Sequence, residues 1–165
     1  MHADELVAYL GLTPHPEGGF YKETYRSEGL ISRGALPPVF NGDRNYQTAI
    51  YFLLRNGDFS ALHRIQSDEC WHHYEGGTLL IHVIHQSGAY NCIRLGKNIA
   101  NGEVYQAVVP AGAWFASEPA ADAAFVLVGC TVAPGFDFAD FALAKADDLS
   151  VQFPQHSKLI SRLCQ

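Results

Sequence analysis

The sequence predicts an all-β chain folded as a single antiparallel sandwich or barrel, with a short helix in front and helical segments behind. Three observations carry this. Short apolar or alternating runs follow one another from Thr48 to Val132, turn signals such as RNGD and Gly76-Gly77 separate them, and no helical period intervenes. The 165 residues fit one domain, 1–165, with a barrel core from about Phe20 to Val132.

Taken in order, ADELVAYLGL reads as a short amphipathic helix with Leu6, Tyr9 and Leu10 on one face and Gly11 as its stop. In PHPEGG, two prolines fix φ and paired glycines allow angles or close approaches that a Cβ forbids, so a rigid turn precedes the next strand. Alternation from Phe20 to Arg26 places Tyr21, Glu23 and Tyr25 on one face and Phe20, Lys22, Thr24 and Arg26 on the other. SEGLISRGALPPVFNGDRN reads as a long edge loop of the kind that often serves as a lid. The strands follow: TAIYFLL, FSALHRIQ, ECWHHYE, TLLIHVIH, NCIRLG, KNIANGE, VYQAVVP, AGAWFAS and FVLVGCTV. Behind them, FDFADFALAKADDL and SKLISRL carry helix formers and are expected on the outside.

Composition narrows the function classes. A net charge of −6 with eleven scattered Lys and Arg argues against nucleic acid as a partner. No run approaches the ~18 apolar residues of a membrane span. The acidic start MHADEL does not read as an export signal, so a cytoplasmic protein is expected. Cys70, Cys92, Cys130 and Cys164 form no CxxC pair and are expected to be reduced and mostly buried.

Gly57, His63, Glu69 and Gly76 match four of the five fixed positions of the first cupin signature, G-x5-H-x-H-x3–4-E-x6-G, with Ile65 in the second histidine slot. The second signature survives only as Pro110-x-Gly112, with Phe115 in its histidine slot. Together LTPHPEGGFYKETYRS, AIYFLL, HRIQSDECWHHYEGG, VPAGAWF and VAPGFDFADFALA resemble the cupin-5 family, a domain-of-unknown-function group. The resemblance implies a homodimeric antiparallel jelly-roll (cupin) barrel with an open polar pocket and no agreed reaction. Of the four positions that hold a metal in metal-binding cupins, two keep a ligating side chain, His63 and Glu69, fewer than the usual three or more. No metal or other cofactor is therefore expected, although a set of His63 and Glu69 with His72 or His73 stays open.

His63 and Ile65, two apart on a strand, point inward together, and Glu69 joins them from the next strand. A buried carboxylate is costly unless it is paired, and His63 is the expected partner. Strict alternation puts Trp71 and His73 on the Glu69 face, the family resemblance favours Trp71 and His72, and that conflict stays open. Trp114 and Phe115 are expected to wall the pocket. His15 reads as a loop ligand or a turn stabiliser, Asp137 as a helix cap, and His82 and His85 as packing or surface residues.

Three functions compete. One is a metal-independent enzyme of epimerase or isomerase type acting on a sugar or sugar-nucleotide-like ring, with His63 as base, Glu69 orienting it and Tyr21 or Tyr25 returning a proton. A second is a small-molecule-binding protein without turnover, in which the same residues recognise the ligand, and a third is a metal-dependent cupin enzyme using His63 and Glu69 with His72 or His73. In each, Glu23, Ile65, Trp71, His72, His73, Trp114 and Phe115 are the expected ligand contacts.

Overall fold

The structure, a computed structural model, describes residues 2–165. An initial helix α1 (Ala3–Leu10) is followed by β1 (Thr13–Pro14), β2 (Phe20–Arg26), β3 (Leu30–Ile31), β4 (Arg44–Asn45), β5 (Thr48–Arg55), β6 (Ser60–Arg64), β7 (Asp68–Gly76), β8 (Leu79–Ile84), β9 (Tyr90–Leu95), β10 (Gln106–Val109), β11 (Trp114–Pro119), β12 (Phe125–Ala133) and β13 (Ala142–Leu143). Two helices, α2 (Ala146–Gln152) and α3 (Ser157–Leu163), close the chain. One sheet has the order β1-β2-β5-β12-β7-β10 and a second the order β13-β6-β11-β8-β9, while β3 and β4 form a separate ribbon. All strand pairs are antiparallel.

The expected barrel is not closed. The two sheets face each other, each with its own edges, and beside β9 and β10 a single isolated bridge, Leu95 to Val104, links their margins. Alternation explains the layering: Phe52, Leu54, Trp71, Ile81, Val83, Phe115, Val126 and Val128 fill the space between the sheets.

Two smaller cores lie outside. Leu6 of α1 packs with Leu12, Leu53 and Leu127, whereas Tyr9 is exposed, so the helix buries a narrower stripe than its sequence suggests. Leu149, Phe153, Ile160 and Leu163 from the C-terminal helices meet Leu62, Ile84 and Ala116 on the outer face of the second sheet. FDFADFALAKADDL is only partly helical: Asp137 caps a 3₁₀ turn through the Ala139 N–H, and Ala142–Leu143 pairs with β6 before α2 begins. KNIANGE forms a 3₁₀ turn at Ile99–Asn101 instead of a strand.

The long loop after β2 is held down. Arg44 makes a buried bidentate pair with Asp140, its Nε at 2.7 Å and its Nη2 at 2.6 Å from the two carboxylate oxygens, and Phe40 is buried beside it. This tie joins the loop to the 3₁₀ turn after β12, which borders the cavity described next.

Candidate functional site

A cavity of about 380 Å³ opens between the sheets, bounded by β2, β5, β6, β7 and β12, by the PHPEGG turn, and by Phe136, Phe138 and Phe141. Each boundary has a local cause.

The turn comes first. Gly18 and Gly19 take positive φ, and a Cβ on either would strike backbone or side chains of the neighbouring strands, so this close approach requires glycine. The Ala61 N–H donates to the Glu17 carbonyl at 2.7 Å, stitching the turn to β6. Glu17 is thereby driven inside, 6% exposed, with Oε1 accepting from the Ser60 hydroxyl at 2.9 Å and Oε2 lying 2.9 Å from His63 Nε2. His63 Nδ1 lies 2.7 Å from the Ala61 carbonyl, which can only accept, so Nδ1 carries a proton.

Burial pushes the Glu17 carboxyl up, but the adjacent imidazolium more than reverses this and leaves it below its usual range. Burial likewise pushes His63 down, and Glu17 with the Ala61 carbonyl brings it above its usual range. The pair is therefore ionic, with both His63 nitrogens protonated. His15 is different. The Glu17 N–H donates to its Nδ1 at 3.2 Å, so that nitrogen is unprotonated; burial lowers its pKa, and the 3.7 Å approach to Glu17 is no charged pair. His15 is a neutral imidazole that also stabilises the turn.

Glu69 is the second buried carboxylate, 8% exposed. Its Oε2 accepts from Trp71 Nε1–H at 3.1 Å, whereas Oε1 has no hydrogen-bond partner among the described residues, and the side chain lines the cavity. Burial pushes its pKa up to about 7, offset in part by His63 and by Trp71 and reinforced by Glu17. The expected His63–Glu69 pair is thus corrected: His63 is paired with Glu17, because the turn delivers a carboxylate from outside the strands. The base role given to His63 falls with it, since neither nitrogen has a free lone pair.

On β2, Tyr21 and Glu23 line the cavity as alternation predicts, and Tyr25 does not. A bulge at Thr24 shifts the register, so that Glu23 opposes Ile50 and Tyr25 opposes Ala49; Tyr25 turns outward, 53% exposed, and Arg26 takes the inner position opposite Thr48. Ile65 lines the cavity as expected. Trp71 is buried, edge-on to Phe52 and Phe115, and acts on the site through Glu69. Phe115 sits behind His63 at 4.1 Å between ring centroids, outside the lining. Trp114, its strand neighbour, turns to the opposite face under the Arg64 guanidinium.

His72 points out of the sandwich, 2.9 Å from Thr131 Oγ1 and accepting from Gln106. Alternation carries His73 to the Trp71 side, but at the other end of β7, where Nε2 bonds the Gly77 carbonyl. Neither reaches the cavity. The metal set of His63, Glu69 and His72 or His73 is therefore not assembled; among the described residues no three His, Cys, Asp or Glu side chains converge as ligands. The residues present do not fit a transition metal.

Among the described residues, all four cysteines are free thiols; Cys130 is buried beside the cavity and Cys92 is exposed. No described helix is long and apolar enough to cross a membrane.

Residues 4–144 match the family model of Cupin_5, cupin superfamily (DUF985). The chain belongs to the Cupin_5 family. It is 32% identical over 155 residues to the uncharacterized protein YML079W of Saccharomyces cerevisiae, covering 87% of this chain and 76% of that one. Two solved structures of similar size superpose over nearly all of it. A hypothetical protein from Leishmania major is 35% identical with a TM-score of 0.91, covering 99% of each chain. Protein SO0799 from Shewanella oneidensis is 38% identical with a TM-score of 0.89, covering 100% of this chain and 98% of that one. Oxalate decarboxylase from Bacillus subtilis shares the fold alone, at 14% identity and a TM-score of 0.55 over 91% of this Cupin_5 chain and 36% of its own.

Two stability predictions follow from the charges. Leaving one half of the buried ion pair alone is costly, so Glu17→Leu or His63→Leu each destabilises by about 3–5 kcal/mol and the double variant by less than the sum, measured by urea denaturation. For Glu69 the sign is opposite. Its folded pKa lies above its unfolded value, so its contribution is full below about pH 4.5 and lost as the pH rises through about 7. A shift of that size corresponds to about 3 kcal/mol. Glu69→Gln is therefore expected to be more stable than the native protein at pH 8, by about 1–3 kcal/mol, with the gap closing at pH 5.

Proposed function

We propose that this chain is a metal-independent acid–base enzyme of isomerase or epimerase type, acting on a small polar ring of sugar or sugar-nucleotide-like kind held between the two sheets. The observation that carries the reading is Glu69: a buried carboxyl in a cavity wall, one oxygen fixed by Trp71, the other open, and a pKa near the working pH. That is what a proton acceptor needs.

The ionised carboxylate takes the proton from a carbon beside a carbonyl of the ring, and the electron pair moves onto that carbonyl oxygen. Tyr21, whose hydroxyl makes no hydrogen bond among the described residues and whose ring lines the cavity, returns a proton to the carbon. One proton leaves and one arrives, so the product is an isomer of the substrate. His15 packs edge-on against Tyr21 at 4.5 Å between centroids, and its Nε2–H is the donor suited to the developing oxyanion. His63 and Glu17 hold the wall. Phe136, Phe138 and Phe141 supply an apolar surface for the face of a ring.

The test is proton exchange in deuterated water with a panel of aldoses, ketoses and sugar nucleotides, read by proton NMR. Exchange at one ring position is expected, its rate rising through about pH 7 as Glu69 ionises and levelling above. Glu69→Gln should lower it by about 10²–10⁴-fold. Binding without exchange would mark a binding protein instead.

The homodimer implied by the family resemblance is proposed here on a physical ground. Strand β10 is an open edge, and Val104, Tyr105 and Val108 are exposed along it. A second copy covers such an edge self-complementarily across a two-fold axis. Light scattering at micromolar concentration should give twice 18.1 kDa, and Val108→Lys should shift it toward the monomer.

A further inference from the structure

The charges around the cavity select the kind of ligand. Three cationic side chains belong to its lining besides the neutral His15, and each is already engaged. His63 is held by Glu17 and the Ala61 carbonyl. Arg26 donates through Nε and Nη2 to the two oxygens of Glu23, at 3.0 and 2.7 Å, and through Nη1 to Asn45 Oδ1 and the Phe136 carbonyl. Lys22 sends its ammonium to the Leu10 carbonyl at the end of α1, 2.9 Å away.

The carboxylates divide differently. Glu17 is neutralised by His63 and Glu23 by Arg26, but Glu69, which lines the cavity, has no cation in direct contact, and its Oε1 has no hydrogen-bond partner among the described residues. The other groups against it are Trp71, which donates one neutral hydrogen bond, and Cys130, whose buried thiol is held protonated. Around the same space stand Tyr21, Phe136, Phe138 and Phe141, which with His15 form a chain of ring contacts 4.5 to 6.3 Å between centroids. Aromatic faces attract a cation and offer nothing to an anion.

We infer that the cavity accepts a ligand bearing a protonated amine, held by the aromatic wall beside Glu69, and rejects phosphate esters and carboxylates of similar size. This rests on the isomerase reading only for the identity of the pocket, and of the two substrate kinds named there it keeps the sugar-like ring, now bearing an amine, and sets the phosphate-bearing sugar nucleotides aside. An arriving ammonium supplies the counter-charge that the fold withholds from Glu69, so the carboxyl loses its proton on binding.

The experiment uses ring probes of equal size and different charge: cyclohexylammonium, cyclohexanol, cyclohexanecarboxylate and cyclohexyl phosphate, titrated into the full chain by calorimetry and followed by NMR at Tyr21. Cyclohexylammonium is expected to bind at pH 8, at least tenfold more tightly than the other three. Its affinity should fall about tenfold at pH 6, with proton release visible as a buffer-dependent heat. Glu69→Gln should lose at least tenfold of this affinity, while Arg162→Gln, on the outer face beside Glu118, should keep it.

Equal or tighter binding of either anionic probe, unchanged amine affinity in Glu69→Gln, or no amine binding at millimolar concentration would each overturn the inference. None of these outcomes touches proton exchange, which tests the isomerase reading separately.

Discussion

The contact between Glu17 and His63 organises this molecule. It joins a turn that belongs to neither sheet to the inward face of β6, at 2.9 Å and with both partners almost fully buried. Such a pair is stable only when the remaining donors and acceptors are also satisfied. Here they are: Ser60 takes the other Glu17 oxygen and the Ala61 carbonyl takes the other His63 nitrogen. The backbone bond from Ala61 to Glu17 places both ends of this arrangement on one short stretch of chain, so turn and strand fix each other.

That contact sets the chemistry of Glu69 by using up the nearby positive charge. Two carboxylates and one imidazolium share a desolvated space, and one cation compensates only one anion well. Glu17, in direct contact, keeps its charge, while Glu69 receives attraction from His63 at longer range and repulsion from Glu17, and retains its proton up to about neutral pH. Two carboxyl groups a short way apart are thus driven to different states by which one touches the histidine, the pattern by which one fold separates a fixed charge from a mobile proton.

Most of the fold was legible in the sequence, because strand alternation and turn residues are local signals: the nine runs from Thr48 to Val132 gave eight strands and one 3₁₀ turn. The inward direction of His63, Ile65 and Glu69 was legible for the same reason. The site was legible only in part. Glu17 was missed because a carboxylate between Pro16 and Gly18 reads as a solvated turn; the available signal was the glycine pair, whose meaning was close backbone approach. Tyr25 and Arg26 exchanged places because a bulge moves a side chain to the other face without leaving a mark in the apolar pattern. His72 and His73 were distinguished only by strand register.

The departures from the cupin signatures make sense together once the turn is seen. With Ile65 and Phe115 in two histidine slots, a lone His63 opposite Glu69 would have been free to pair with it, giving a satisfied and chemically quiet interior. Glu17 prevents this by taking His63 first. The fold then carries a carboxyl that is uncomfortable when ionised and has one oxygen without a hydrogen-bond partner among the described residues. With His63 committed to Glu17, the cost of ionising Glu69 falls on the folded protein itself, which loses stability as the pH rises through about 7.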